Sequence, residues 1–192
     1  IGFTSEVSVK ELSQLGKERN IPVVDDLGAG AYTDISKYGY PAEPLVSDSV
    51  EAGADIICSS GDKLIGGVQA GIIVGRKFWT DKIRKHPLYR AFRCDKLTLA
   101  ALHATLLLFL DPETLPNKNP TWRMISMASD EVLAQAKQFA TAIKKAIPQL
   151  NVDVCKGFSE LGSGSLPGAQ IPSALVSLQS EKMSAEHLAN KL

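Results

Sequence analysis

Net charge is the first thing this sequence lacks, since 21 lysines and arginines balance 21 aspartates and glutamates over 192 residues. A neutral chain has no bulk attraction for nucleic acid, so any RNA contact must be local or lie elsewhere. Cysteine is scarce: Cys58, Cys94 and Cys155 are far apart and form no CxxC pair. This argues against a disulfide framework and against zinc, and reads as buried or free thiols in a reducing compartment. Long apolar runs are missing too, because the stretch from Leu97 to Leu110 falls short of the roughly 20 residues a membrane span needs. An initiating methionine is absent, a helix pattern begins almost at once, and the last residues open another helix. Both ends are therefore expected to be cut from a longer protein, and a secretory signal can be neither read nor excluded. What is present is a 44% hydrophobic composition, enough for a sizeable core.

The informative stretch runs from Ser59 to Gly75. An apolar run from Asp55 to Cys58 reads as a buried strand, a second starts at Gly71, and Lys63 sits in the Ser/Gly loop between them. Lysine held among small residues and core strands loses solvation, which favours the neutral, nucleophilic amine required for a Schiff base. A solvated surface lysine is the competing reading, and the loop by itself favours it. A second feature alters the balance. Ile21 to Asp25 reads as a strand that runs into Asp26, Leu27 and Gly28. In an open parallel sheet ligands collect at the carboxyl ends of strands, so Asp26 is a candidate ligand group, against the alternative of a turn or cap aspartate. A strand-end carboxylate and a loop lysine are the pair that pyridoxal phosphate needs.

In chain order, Ser8 and Glu11 form a capping-box pattern that starts a helix ending near Asn20. Gly28 to Pro44 is a long loop, and its Gly28-Ala29-Gly30 lacks the third glycine of a dinucleotide fingerprint, Thr33 standing there. A helix from about Ser47 to Ala52 precedes the lysine stretch, so helices and strands alternate as in a parallel α/β sheet. Lys77 to Arg93 has a helical pattern broken at Pro87 and is locally basic. Arg90 and Arg93, three apart, are expected to share a helical face suited to one phosphate-like anion, against the plainer reading of a solvated face. Leu97 to Leu110 is apolar nearly all round and predicts a buried helix, with His103 a packed core histidine. Residues 111–128 read as a connection between domains. Beyond it, Ser129 is expected to cap a helix from Asp130 to Ala146 with Val132, Ala136, Phe139, Ile143 and Ile147 as its apolar stripe. Val152 to Cys155 and Ala174 to Leu178 read as strands of a small α+β domain, and Gly162 to Pro172 as a loop.

Several of these segments resemble one family. Asp26-Leu27-Gly28, Ser60-Gly61-Asp62-Lys63-Leu64-Ile65-Gly66-Gly67 with Gln69-Ala70-Gly71, His86-Pro87-Leu88 with Arg90 and Arg93, and Asp95 to Leu102 are similar to bacterial selenocysteine synthases. Leu110 to Glu113, Gly162 to Pro167 and Ile171-Pro172-Ser173 continue the likeness in the same order. The resemblance implies an α/β fold-type-I pyridoxal-phosphate transferase, similar to aspartate aminotransferase. Residues 1–110 would be the second half of its large domain and residues 129–192 part of its small α+β domain.

The same resemblance implies a chemistry. Lys63 would hold pyridoxal 5'-phosphate, Asp26 would keep its pyridine nitrogen protonated, and Ser60 and Gly28 would complete the cofactor site. Arg90 and Arg93 would bind selenophosphate, and the substrate would be seryl-tRNA(Sec), dehydrated on the tRNA before selenium adds. A cytoplasmic homo-oligomer with active sites at subunit interfaces is implied, with no metal and no membrane. The family's amino-terminal tRNA-binding region and upstream phosphate segment do not occur in these 192 residues, so this stretch by itself is expected to be inactive. Ala29 and Ala31 stand where the family usually has serine, Val68 where it has proline, and Cys94 where it has an aliphatic residue. None of these departures removes a group the chemistry requires, but they leave room for a relative with another substrate, and two rivals stand beside the main reading: a related lyase or aldolase acting on a small amino acid or amino-sugar acid, and a non-catalytic module derived from such an enzyme.

Overall fold

The computed structural model describes residues 7–161 and 169–191. The chain forms two compact units, one reaching to Ser126 and one made of residues from Met127 onward.

The first unit begins with helix α1, Val9–Arg19, whose start and stop are set locally. Ser8 accepts from the Glu11 amide while Glu11 reaches back to the Ser8 amide, and Asn20 closes the other end in the left-handed conformation. Strand β1, Val24–Gly28, lies parallel to β2, Ile56–Ser60, and helix α2, Val46–Glu51, falls between them in sequence. Ile57, Val46 and Ala54 are buried together, with Leu27, Tyr32 and Val74 packed against them. Each strand of this sheet therefore contributes an apolar side chain to the core.

Strand β3, Gly71–Gly75, runs antiparallel to β2. This corrects the expectation of an all-parallel sheet. The cause is the length of the connection: the residues between Ser60 and Gly71 are too few for a helical crossover, which takes about a dozen or more, so the chain must turn back. The consequence is functional, because the lysine loop now leaves and re-enters at one end of the sheet, where β1 also ends.

Helices α3, Lys77–Lys85, and α4, Pro87–Phe92, are separated at His86, as the proline predicted. Helix α5, Lys96–Leu108, has none of its residues buried, and Leu97 is 79% exposed. The buried helix expected from its composition is thus only partly covered by the described residues, and His103 is an exposed residue, not a core histidine. Hydropathy reports which surface needs covering but not whether these 192 residues supply the cover.

The stretch expected as a connection between domains is mostly helical. Helices α6, Leu115–Lys118, and α7, Pro120–Ser126, carry Leu115 and Trp122, and Asn119 joins them, all three essentially inaccessible. Proline in the first turn of each is compatible with helix, and this is why a proline-rich stretch is not a linker here. Trp122 packs edge-on to Phe109 and lies near Tyr38, while the Tyr40 hydroxyl donates to the Ile125 carbonyl at 2.8 Å.

In the second unit, helix α8, Ser129–Ala146, packs on the antiparallel pair β4, Leu150–Ser159, and β5, Ile171–Ser180. Ala140, Leu150, Val152 and Leu188 form its core, the last from helix α9, Ala185–Ala189. Two expectations about α8 need correction. Ser129 is its first residue and Ala128 takes the cap position without a side-chain bond, and Phe139 of the expected stripe is exposed while Ala140 is buried. Most of the expected loop from Gly162 to Pro172 lies outside the described residues, and Ile171 and Pro172 belong to β5.

Candidate active site at the end of the sheet

Parallel pairing brings Gly28 of β1 and Ser60 of β2 to the same end of the sheet. Lys63 follows Ser60 by one turn and is half-buried. Its Nζ lies 3.9 Å from where a Cβ on Gly28 would stand. Gly28 has φ of +60°, a conformation L side chains seldom adopt, so a bare backbone at this point leaves the amine open space at the strand end. Among the described residues Lys63 takes no ion pair. The loop and the strand that the sequence analysis joined by chemistry are joined here in space.

Strand alternation puts the two aspartates on opposite faces of β1. Asp25 points toward α2, where the buried Ser49 hydroxyl donates to its Oδ2 at 2.6 Å. Asp26 points to the opposite face, is exposed, and stands beside Cys58, its register partner on β2. Asp26 is thus the carboxylate on the open side of β1. Cys58, expected only to be a buried or free thiol, is its neighbour. Burial pushes the Cys58 thiol up, and the charges of Asp26 and Asp25 push it further in the same direction. The thiolate is the form that alkylates, so Asp26→Asn should lower this pKa and speed iodoacetamide labelling of Cys58 in the cofactor-free protein. Since burial is the larger cause, the gain should be modest, on the order of two- to fivefold. An unchanged rate at fixed pH would show that the Asp26 carboxylate does not face Cys58.

Ser60 closes β2, half-buried. The lysine loop is held from several sides. Gly61 donates to the Ala70 carbonyl at 2.8 Å, and Gly67 to that of Gly61 at 2.9 Å. Three successive carbonyls following the amine are each engaged: Lys63 by the Gly66 amide at 2.8 Å, Leu64 by Trp122 Nε1 at 2.9 Å, and Ile65 by Asn119 Nδ2 at 3.0 Å. Asn119 and Trp122 were missed by the sequence analysis. Asn119 before Pro120 is a readable helix-start signal, but nothing local shows that the same side chain also reaches a loop 54 positions away.

Arg90 and Arg93 do not share a helical face. Arg90 lies in α4, whereas Arg93 caps it in an extended conformation, φ −63° and ψ 139°. The short helix ends before the second arginine because the chain must start α5, for which Asp95 caps the Leu97 and Thr98 amides. Both arginines are exposed, and among the described residues neither guanidinium forms an ion pair. The same residues contain no cluster of side chains suited to a metal ion and no helix long and apolar enough to cross a membrane.

A family model described as SelA, L-seryl-tRNA selenium transferase, matches residues 1–192. The chain is 44% identical over its full length to the L-seryl-tRNA(Sec) selenium transferase of Alkaliphilus oremlandii, of which it covers 41%. It is 45% identical to the protein of that name from Nitratidesulfovibrio vulgaris, again covering 41%. For the Haemophilus influenzae protein the identity is 45%, with 96% of this chain and 40% of the relative covered. The chain therefore spans about two fifths of the length of these relatives. Among solved structures it resembles a D-glucosaminate-6-phosphate ammonia-lyase with a TM-score of 0.52 and 20% identity, over 97% of this chain and 40% of that one. At that identity the likeness shows the fold alone, and it is the α/β fold-type-I architecture expected from the sequence.

Proposed function

This chain belongs to the L-seryl-tRNA selenium transferase family, and we propose that the intact protein converts seryl-tRNA(Sec) to selenocysteinyl-tRNA(Sec) with selenophosphate. The observation that carries the reading is the Lys63 amine at the bare end of β1. Overall, the seryl C–O bond is replaced by C–Se, and the phosphate of selenophosphate leaves with the oxygen.

The site fits pyridoxal 5'-phosphate. An amine with no ion pair among the described residues, the glycine at the end of β1 that leaves room before it, and the Asp26 carboxylate on the open face of β1 are the groups its aldehyde and ring nitrogen call for. When bound, the cofactor supplies an electron sink for the carbon that loses a proton. Lys63 provides the nucleophile that anchors it, Asp26 holds a proton on the ring nitrogen, and the Ser60 hydroxyl binds its phosphate, with Gly28 giving access. Arg90 and Arg93 bind selenophosphate through free guanidinium groups. Exposed apolar side chains such as Leu97 and Phe92, 79% and 80% accessible, support a homo-oligomer with active sites at subunit interfaces. An aminoacyl-tRNA substrate and free thiols support a cytoplasmic location.

The decisive experiment supplies the intact protein with charged tRNA and selenophosphate. Selenocysteinyl-tRNA formation that requires both supports the reading. Turnover of a free amino acid or amino-sugar acid without tRNA would replace it by a related lyase, and failure to bind pyridoxal phosphate would leave a non-catalytic module.

A separate test isolates the arginines. Replacing Arg90 and Arg93 together by alanine should leave dehydration of the seryl group intact and raise half-saturation for selenophosphate roughly a hundredfold or more, since each bidentate contact to an oxyanion contributes about 1.5–3 kcal/mol. Lysine replacements should restore only part of it, because an ammonium lacks the planar fork. Unchanged half-saturation would refute the anion site, and lost tRNA binding would reassign both residues to the RNA surface.

A further inference from the structure

We infer that Asn119 and Trp122 are positioning residues that fix the lysine loop from behind, so that the amine of Lys63 meets the cofactor at one place. The inference rests on the reading that Lys63 carries the cofactor.

A loop following a strand has two ways to be ordered, by bonds within itself or by bonds to a rigid neighbour. Here the inner bonds close the loop on itself, from Gly61 to Ala70 and from Lys63 to Gly66. They do not fix its position relative to the rest of the unit. Among the described residues, the side-chain bonds that reach it from outside come from residues 54 and 58 positions later, both fully buried side chains donating to adjacent carbonyls of Leu64 and Ile65. Leu64 and Ile65 are themselves buried, at 3% and 0% exposure. Their carbonyls are out of reach of bulk water, so losing a donor leaves an acceptor unpaired.

Asn119 links two structures with one amide. Its Oδ1 accepts from the amides of Thr121 at 3.0 Å and Trp122 at 3.4 Å, capping α7, while its Nδ2 donates to Ile65. The approach is close enough to demand glycine at the contact. Gly66 has φ of +67°, and a Cβ there would stand 2.7 Å from Asn119 Oδ1 and 2.8 Å from Thr121 Oγ1. Lysine loop and helix start are therefore fitted to each other at Gly66, and α7 is in turn braced by Phe109 and Tyr38 around the Trp122 ring.

Two conservative variants separate positioning from folding in the intact protein. Trp122→Phe removes the indole donor and keeps an aromatic ring between Phe109 and Tyr38. Asn119→Ser keeps a side chain that caps α7 as well as asparagine does, but it is too short to reach Ile65. Each should speed release of pyridoxal phosphate on dialysis by about tenfold, the factor set by one lost buried hydrogen bond. Each should also move the midpoint of the pH titration of the cofactor's visible absorption band, which reports the surroundings of the lysine nitrogen. A residue that only supports the fold would lower the melting temperature and move neither. Wild-type release and a wild-type midpoint in both variants would overturn the inference, whatever their melting temperatures. Borohydride labelling of the unaltered protein is read first: a label elsewhere than Lys63 refutes the cofactor reading itself, and a label on Lys63 with unchanged variants refutes only the clamp.

Discussion

Lys63→Ala in the intact protein is expected to abolish covalent capture of pyridoxal phosphate and to lower turnover by roughly 10⁴-fold or more, beyond what a single acid–base group contributes. The size of the effect follows from the geometry. Lys63 places its amine at the end of β1, where Gly28 leaves the space, and the loop that carries it is fastened at three carbonyls in a row. The side chain itself makes none of those bonds, so its removal should leave the loop in place and the protein folded. Lys63→Arg should fail as completely as alanine, because a guanidinium does not deprotonate in proteins and cannot attack an aldehyde. Borohydride reduction of the wild-type protein followed by peptide mapping should find the pyridoxyl group on Lys63, and a label on another lysine would sink the assignment.

Asp26→Asn should retain part of the cofactor yet slow exchange of the substrate α-proton severely, on the order of 10²–10³-fold, the range typical of losing one aimed electrostatic partner. An unprotonated pyridine is a poorer electron sink, and an amide cannot hold the proton there. The neighbouring position gives the contrast. Asp25 accepts the buried Ser49 hydroxyl at 2.6 Å and lies on the core side of β1, so Asp25→Asn should affect stability and leave the exchange rate close to that of the wild type. Exchange at the wild-type rate in Asp26→Asn would make Asp26 structural and turn attention to Asp25.

Much of this site was legible in the sequence because its signals are short-range. The α1 capping box, the apolar strands ending in acidic or small residues, the break at Pro87 and the lysine between two strands all depend on residues within a few positions of each other. Collinear motifs added the family and with it a chemistry that no periodicity contains.

The tertiary structure alone decided the rest. It turned β3 antiparallel, separated Asp26 from Asp25 by face, put Cys58 beside Asp26, and released Arg93 from the helix that holds Arg90. It also converted an apparent proline-rich connection into the brace behind the lysine loop. Each of these depends on which residues meet across the fold. A side chain's partner 54 or 58 positions away is set by the path of the chain between them, and no pattern of neighbouring residues encodes that path.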